Sequence, residues 1–207
     1  MSPHKRVFAV DDDEAVLKSL LAIMRWHGYD AQGFLSAEEF LRQTPLHEPG
    51  CVVADLQLPG IDGLELQQRL LAAQSPLAMV AVSGAANIAV AVKFMENGAV
   101  TVLEKPYLEE ALVAAIEKAL AASDEAHRLR LQQQSLQARL AALEPDERTV
   151  LDLMLADEPN KQIAYRLDMS MRTIDRRRRS VLEKMGVQSV PELATLLSSV
   201  PKNDSLT

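Results

Sequence analysis

Residues 51–63 read CVVADLQLPGIDG, an apolar run that ends at the carboxylate of Asp55 and passes directly into turn residues. A short, continuous apolar segment with such boundaries is typical of a strand buried on both faces, as in a parallel sheet. Asp55 would then lie at the carboxyl end of that strand, the edge where ligands and chemistry collect in open α/β sheets. A lone aspartate after a strand is also often a helix cap, so Asp55 by itself leaves both interpretations open.

Other apolar runs also end at polar or charged side chains. A predicted strand at 6–10 leads into the acidic run 11–14, one at 78–82 reaches Ser83, and one at 100–104 precedes Lys105. Neighbouring carboxylates repel one another, and a hard cation such as Mg²⁺ prefers a few carboxylates together with water and phosphate oxygens. A lysine ammonium is a compact charge that suits phosphate or carboxylate. The pattern therefore indicates a site for a cation and an anionic group.

The order Asp11-Asp12, Asp55, Ser83 and Lys105-Pro106 resembles the receiver domain of two-component response regulators, over roughly the first 120 residues. The resemblance implies that Asp55 accepts a phosphoryl group from a partner histidine kinase. A carboxylate nucleophile can form such an aspartyl phosphate, and phosphoryl transfer needs mainly positioning and charge neutralisation.

The same resemblance implies roles for the residues around Asp55. The Mg²⁺ cofactor would be held by Asp11, Asp12, Asp55 and the backbone carbonyl of Gln57, with Asp12 as a direct ligand. Ser83 would donate its hydroxyl to the phosphoryl group. Lys105 would pair with a phosphoryl oxygen, and its bond to Pro106 would be cis.

The sequence departs from the receiver pattern at Val102, where the family often has an aromatic residue that moves together with the hydroxyl residue. We therefore expect the signal to pass through a shift of the loop at Ser83, without an aromatic side chain. Small residues at 84–86 and Asn87 follow Ser83. They either permit such a backbone movement or begin the next helix.

Strands and helices alternate over the first 120 residues, which favours a parallel sheet covered on both faces. We predict an α/β, flavodoxin-like receiver domain with five strands at 1–121, followed by a linker helix at 122–142. Residues 107–142 contain no glycine or proline and predict one helix of roughly 50 Å. Leu129, Leu136 and Leu143 are spaced by seven, which permits a short two-stranded coil; a solvated interdomain helix is the alternative.

Residues 143–207 predict a small all-α domain of four helices, in which two short helices, a tight turn and a basic helix form a helix-turn-helix. Residues 146–151, 160–164, 170–175 and 182–187 resemble the LuxR-type DNA-binding domain over about 60 residues. The resemblance implies that the third helix enters the major groove of double-stranded DNA. The fourth helix would help the protein to form a homodimer.

The third helix has a basic run at 176–179. Four consecutive helical residues span about 300°, so they cannot all face one groove. The predicted DNA contacts, some to phosphate and others to base edges, are Lys161, Arg172, Thr173, Arg176, Arg177 and Arg179. The alternative is a solvated basic face that pairs with Asp175 and Glu183.

Charge and composition limit the classes of protein to which this chain can belong. The net charge of −7 comes from residues 1–120, whereas 143–207 has a net charge of −1 and still contains the local basic run. The single cysteine, Cys51, excludes an intrachain disulfide and fits a reducing cytosol. No apolar run reaches the roughly 18 residues of a membrane span and no signal peptide is evident, so we expect a cytoplasmic protein without a membrane partner.

These patterns together predict a phosphorylation-dependent transcription regulator that is not an enzyme, switched by a histidine kinase and active as a DNA-binding homodimer. Two alternatives stay open. The receiver could act alone as a Mg²⁺-dependent, phosphatase-like enzyme, although the sequence offers no obvious general acid. The protein could also bind DNA constitutively with a receiver that only dimerises, which would fit the missing aromatic residue at Val102.

Overall fold

The computed structural model describes residues 5–84 and 88–198, without the side chains of residues 88, 89 and 91. The chain divides after Arg128 into two compact units. The predicted domain boundaries at 121 and 142 stay predictions. Each unit is described by itself.

Five parallel strands form the sheet of the first unit, in the order β2-β1-β3-β4-β5. The strands are β1 Arg6–Val10, β2 Asp30–Phe34, β3 Cys51–Asp55, β4 Ala78–Ser83 and β5 Thr101–Glu104. Val10 pairs with Ala54, so Asp11 and Asp55 leave neighbouring strands at the same level. Ser83 pairs with Glu104, which puts Lys105 just beyond the same edge. The predicted α/β fold is confirmed.

Helices cover both faces of this sheet: α1 Glu14–Trp26, α2 Ala37–Gln43, α3 Gly63–Ala72, α4 Ile88–Glu96 and the start of α5 Glu109–Ala141. Side chains alternate along each strand, so that Phe8 and Val10 pack in one apolar layer while Val7 and Ala9 pack in the other. Both layers are buried, which explains why the strands are continuously apolar in sequence.

A polar residue just before a helix caps its N-terminal end. Asp13 is the N-cap of α1, and its Oδ1 accepts hydrogen bonds from the backbone of Ala15 at 2.7 Å and Val16 at 3.4 Å. Helix α4 begins at Ile88, and the predicted loop residues 85–87 lie outside the described residues.

The second unit contains four helices after the end of α5: α6 Pro145–Leu155, α7 Asn160–Arg166, α8 Met171–Met185 and α9 Val190–Ser198. Helix α8 begins at Met171, because Ser170 caps it and accepts the Thr173 backbone N–H at 3.2 Å. It ends at Gly186, which adopts φ 68°, a conformation that glycine tolerates best.

Helix α5 is continuous from Glu109 to Ala141, and its last turns belong to the core of the second unit. Leu136 is only 8% exposed there, Leu143 packs in the same core, and Arg139 Nη1 donates to the Met185 carbonyl at 2.7 Å. Two of the three leucines in the proposed heptad are therefore already buried against their own unit. This weakens the hypothesis of a two-stranded coil, and these turns are not a solvated helix either.

Across the described ranges, no helix combines the length and the apolar character that are needed to cross a bilayer.

Replacement of Leu136 by Ala should destabilise the second unit by about 2–4 kcal/mol, because it leaves a cavity in a packed core. Hydrogen exchange of peptides from α6 and α8 in the full chain measures this effect. The matched control is Leu131→Ala on the same helix, where the side chain is 52% exposed and the expected change is below about 0.5 kcal/mol. Equal effects of the two substitutions would contradict the assignment of the last turns of α5 to this core.

Candidate functional site

The carboxyl edge of the first unit's sheet brings Lys105 between two carboxylates. Its Nζ lies 2.9 Å from Asp11 Oδ2 and 2.7 Å from Asp55 Oδ2. The side chain of Asp11 is 2% exposed and that of Asp55 is 13% exposed. The backbone N–H of Lys105 donates to the Ser83 carbonyl at 2.8 Å, and the bond to Pro106 is cis. The sheet thus unites three residues that are far apart in sequence.

The pairing keeps the ammonium charged. Burial alone lowers the pKa of Lys105, but its hydrogen bonds to Asp11 and Asp55 and the charges of the two carboxylates raise the pKa above the ordinary value. An ammonium whose charged form is favoured in this way is suited to neutralise an incoming anionic group.

Backbone N–H groups orient the other carboxylate oxygens. Asp55 Oδ1 accepts from the Gln57 N–H at 2.8 Å, and Asp11 Oδ1 accepts from the Asp13 N–H at 3.0 Å. Each carboxylate is therefore held on two sides. Asp55, the more exposed of the two, is the one that a reactant can approach.

The charge balance of the site fits a divalent cation. Asp12 is exposed, and no hydrogen bond or ion pair joins its carboxylate to another residue in the described ranges. The carboxylates of Asp11, Asp12 and Asp55 and the ammonium of Lys105 together have a formal charge of −2. No cage of three or more acidic, His or Cys side chains occurs within the described residues. Mg²⁺ can bind without such a cage, because it keeps several of its waters and also uses phosphate oxygens.

Ser83 ends β4 and is buried next to the site. The register pairs its neighbour Val82 with Asp55, and the side chain of Ser83 is 2% exposed. Val102, at the position of the family's aromatic residue, is half-buried and packs against the apolar layer that contains Phe8. It offers no aromatic group that could move with Ser83.

Sequence reasoning missed Glu38, which supports the loop that follows Asp55. Its Oε1 accepts a hydrogen bond from the Ile61 N–H at 3.0 Å and so ties the start of α2 to the loop that contains Gln57. Glu38 and Ile61 are 23 residues apart, and no local pattern could have indicated this contact.

A second candidate site is the exposed side of α8 in the other unit. An open cleft there is lined by Ser170, Arg172, Thr173, Asp175, Arg176 and Arg179, and these residues are called the α8 face below. Arg172, Arg176 and Arg179 are exposed, as the spacing of three and four along a helix allows. Thr173 is half-buried, and its hydroxyl is 2.9 Å from Ser170 Oγ. Lys161 is exposed on α7, beside Tyr165 and Arg166.

Arg177, which is also among the predicted DNA contacts, does not line the α8 face. At about 100° per residue it lies about 140° around the helix from Arg172. Its Nη1 is 2.8 Å from Glu144 Oε2 and its Nη2 is 2.8 Å from Asp146 Oδ2, with 19% of the side chain exposed. The pKa of Arg177 is raised chiefly by the hydrogen bond to Glu144. Acids at the start of α6 thus draw this guanidinium away from the basic side.

Glu147 fastens α6 to α8. It is 3% exposed and accepts hydrogen bonds from Ser180 Oγ at 2.7 Å, Lys184 Nζ at 2.6 Å and the Glu144 backbone at 2.9 Å. Desolvation raises the pKa of its carboxyl, but these three donors outweigh it and lower the pKa from 4.5 to about 2. The Glu144-to-Glu147 spacing of a capping box was the available sequence signal.

Comparisons with known proteins agree with this geometry. Residues 7–117 match the response regulator receiver domain, and residues 141–197 match the bacterial regulatory proteins of the luxR family. The chain therefore belongs to the response regulators that join a receiver domain to a C-terminal LuxR-type domain.

Full-length relatives share this organisation. The transcriptional regulatory protein FixJ of Bradyrhizobium diazoefficiens is 37% identical over 95% of this chain and 96% of its own length. The response regulator protein TmoT of Ectopseudomonas mendocina is 34% identical over 90% of this chain and 85% of its own. The solved structure of the response regulator StyR has a TM-score of 0.85 at 33% identity and covers 94% of this chain and 98% of that one.

The stability of the second unit at acidic pH should depend on Glu147. Because its folded pKa of about 2 is below the ordinary 4.5, its contribution is complete above about pH 4.5 and is lost as the pH falls toward 2. Glu147→Gln should therefore cost on the order of 2 kcal/mol at pH 7, after allowance for solvent screening of the Lys184 pair, and should flatten the loss of stability between pH 5 and 2.

Urea unfolding followed by the NMR signals of α6 and α8 measures this pH dependence. Glu183→Gln is the matched control, since Glu183 is exposed on α8. If both variants kept the wild-type pH profile, the assigned role of Glu147 would be wrong.

Proposed function

We propose that a phosphoryl group on Asp55 controls DNA binding by the α8 face. The family and the two matched domains make the chain a phosphorylation-dependent transcription regulator. The observation that supports the finer assignment is the single ammonium of Lys105 between Asp11 and Asp55, at the exposed edge of the sheet.

The phosphoryl transfer uses Asp55 as the nucleophile. A carboxylate oxygen of Asp55 forms a bond to phosphorus, while the bond from phosphorus to the imidazole nitrogen of a kinase phosphohistidine breaks. Lys105 neutralises the phosphoryl oxygens, and Ser83 donates its hydroxyl to one of them. Mg²⁺, held by Asp11, Asp12, Asp55 and the Gln57 carbonyl, would supply further positive charge to the transferring group.

The proposed conformational response follows from the change in charge that phosphorylation of Asp55 produces. Phosphorylation replaces the Asp55 carboxylate, of charge about −1, by an acyl phosphate with about −1.5 to −2 charges, so that about 0.5 to 1 negative charge is added beside the Lys105 ammonium and Asp11. Lys105 must then redistribute its hydrogen bonds among more acceptors. Because the Lys105 N–H is bonded to the Ser83 carbonyl, the ends of β4 and β5 are the elements that respond. A bias of about 1–3 kcal/mol between two states is sufficient for regulation.

The DNA contacts are assigned to exposed side chains of the second unit. Arg172, Arg176 and Arg179 on the α8 face meet the major groove, with Thr173 beside them. Lys161 on α7 contacts a phosphate. We leave Arg177 out of this set, because its guanidinium is bound to Glu144 and Asp146.

The phosphorylated protein acts as a homodimer on paired half-sites, about one helical turn apart. Dimerisation raises the effective concentration of the second DNA-binding unit once the first has bound. The partners are thus a sensor histidine kinase, double-stranded DNA and a second copy of the chain. Because the target is the bacterial chromosome, we assign the protein to the cytoplasm.

The substitution Asp55→Asn should abolish labelling by acetyl phosphate and Mg²⁺, since the amide cannot form the acyl phosphate. Acetyl phosphate should also raise the operator affinity of the wild type by about 5- to 150-fold and leave that of the variant unchanged. Mass spectrometry and fluorescence anisotropy with the full chain measure both effects.

Asp62→Asn is the matched control, because Asp62 caps α3 in the same loop and has no part in the site. Undiminished labelling of the Asp55 variant would refute the acceptor assignment. Equal wild-type affinities with and without acetyl phosphate would instead favour constitutive binding.

Loss of Arg179 should weaken DNA binding and make its salt dependence shallower. If the side chain binds a phosphate, Arg179→Ala reduces the slope of log K against log salt by about 0.9 for each phosphate that is no longer neutralised. Arg148→Ala, which removes an exposed arginine of α6, should leave the slope unchanged. Arg177→Ala should lower the stability of the unit and also leave the slope unchanged. An Arg179 variant with wild-type affinity and slope would exclude this residue from the interface.

A further inference from the structure

We infer that Asp175 reads a cytosine base in the major groove and so helps to determine which DNA sequence the protein selects. The inference rests on the proposed function, because it requires the α8 face to meet the groove. The sequence patterns assigned Asp175 only to charge pairing. The inference adds this acidic residue to a surface that otherwise consists of basic and hydroxyl side chains.

The position of Asp175 is the first observation. It is exposed on the α8 face, one residue before Arg176 and three after Arg172. At about 100° per residue it lies about 60° from Arg172 and about 40° from Arg179, on the same side of the helix. A helix that enters the groove with these arginines brings Asp175 with them. Near DNA phosphates a carboxylate is repelled, so a residue of this charge weakens binding unless it gains a base contact.

The surrounding arginines do not neutralise this carboxylate. Among the described residues, no ion pair joins Asp175 to Arg172, Arg176 or Arg179. The contact that Asp175 does make is with α7, where Asn160 Nδ2 donates to Asp175 Oδ1 at 2.9 Å. One oxygen is thereby held, and Oδ2 has no hydrogen-bond partner among the described residues. The carboxylate is oriented and still has an acceptor to offer.

The hydrogen-bonding groups of the four DNA bases then determine which base Asp175 can contact. An ionised carboxylate can only accept hydrogen bonds. In the major groove, guanine presents the acceptors N7 and O6 and thymine presents the acceptor O4, so both repel it. Adenine has its N6 donor next to the N7 acceptor. Cytosine offers the N4 amino donor without an acceptor of its own at that edge, and it is the base that acidic side chains recognise.

The neighbouring arginines complete this recognition. An arginine binds guanine through O6 and N7. Asp175 together with Arg172 or Arg176 can therefore read a cytosine and the guanine paired with it, or a guanine on an adjacent pair. The mixture of charges on the α8 face thus fits a C·G pair at a fixed place in each half-site better than a run of A·T pairs.

Selection from a randomised duplex library, with the full-length chain and with acetyl phosphate and Mg²⁺ in every arm, tests the inference. The wild type should enrich cytosine at one position of each half-site, about tenfold over the other bases, as expected for one discriminating base contact. Asp175→Ala and Asp175→Asn should reduce this preference to below about twofold, while preferences at the other positions persist. Asp152→Asn is the matched control for charge, since Asp152 is exposed on α6; it should retain the wild-type preference.

The outcomes separate the inference from the function on which it rests. If the wild type selects no sequence at all, the proposed function of the α8 face fails. If the wild type selects a site and Asp175→Ala keeps the same cytosine preference, DNA binding stands and the reading role is overturned. The reading role is also overturned if Asp175→Ala lowers the affinity for all sequences equally and lowers the melting temperature, because Asp175 would then only anchor Asn160.

Discussion

The ion pairs of Lys105 with Asp11 and Asp55 are the contact on which the first unit's chemistry depends. They exist because β1, β3 and β5 run parallel and end at one edge, so that charges from three distant parts of the chain meet there. In the proposed function, a phosphoryl group at Asp55 would replace one of these two carboxylates by a larger and more highly charged acceptor, and would therefore change the hydrogen bonds of the ammonium. Buried apolar layers pack on both sides of this sheet.

In the second unit the charged side chains of α8 fall into two groups. Glu147, Glu144 and Asp146 bind Lys184 and Arg177 and so secure α8 against α6. Arg172, Arg176 and Arg179 have no ion-pair partner among the residues that the structure describes, and the proposed function assigns them to DNA contacts. One helix thus supplies both the attachment to the domain and the proposed recognition surface, with the division set by the step of about 100° between residues.

Most of the fold could be predicted from local patterns. The strands were recognised because burial on both faces makes them continuously apolar. The helix ends in the structure lie at residues such as Asp13, Ser170 and Gly186, whose side chains or backbone freedom act within a few residues. The spacing of seven among the leucines leaves more than one structure open, since it also suits a helix whose last turns pack into its own domain, as Leu136 does.

The amino-acid sequence by itself determined the order of elements, the presence of an acidic and a lysine-bearing edge, and a basic helix in a small helical domain, because these depend on the type and spacing of nearby residues. Only the tertiary structure decided that Lys105 contacts Asp11 and Asp55 at once, that Glu38 supports the loop beyond Asp55, and that Arg177 is bound by acids while Asp175 is held by Asn160. These contacts join residues 15 to 94 positions apart. Their geometry follows from how whole elements pack, and no short window of sequence contains that information.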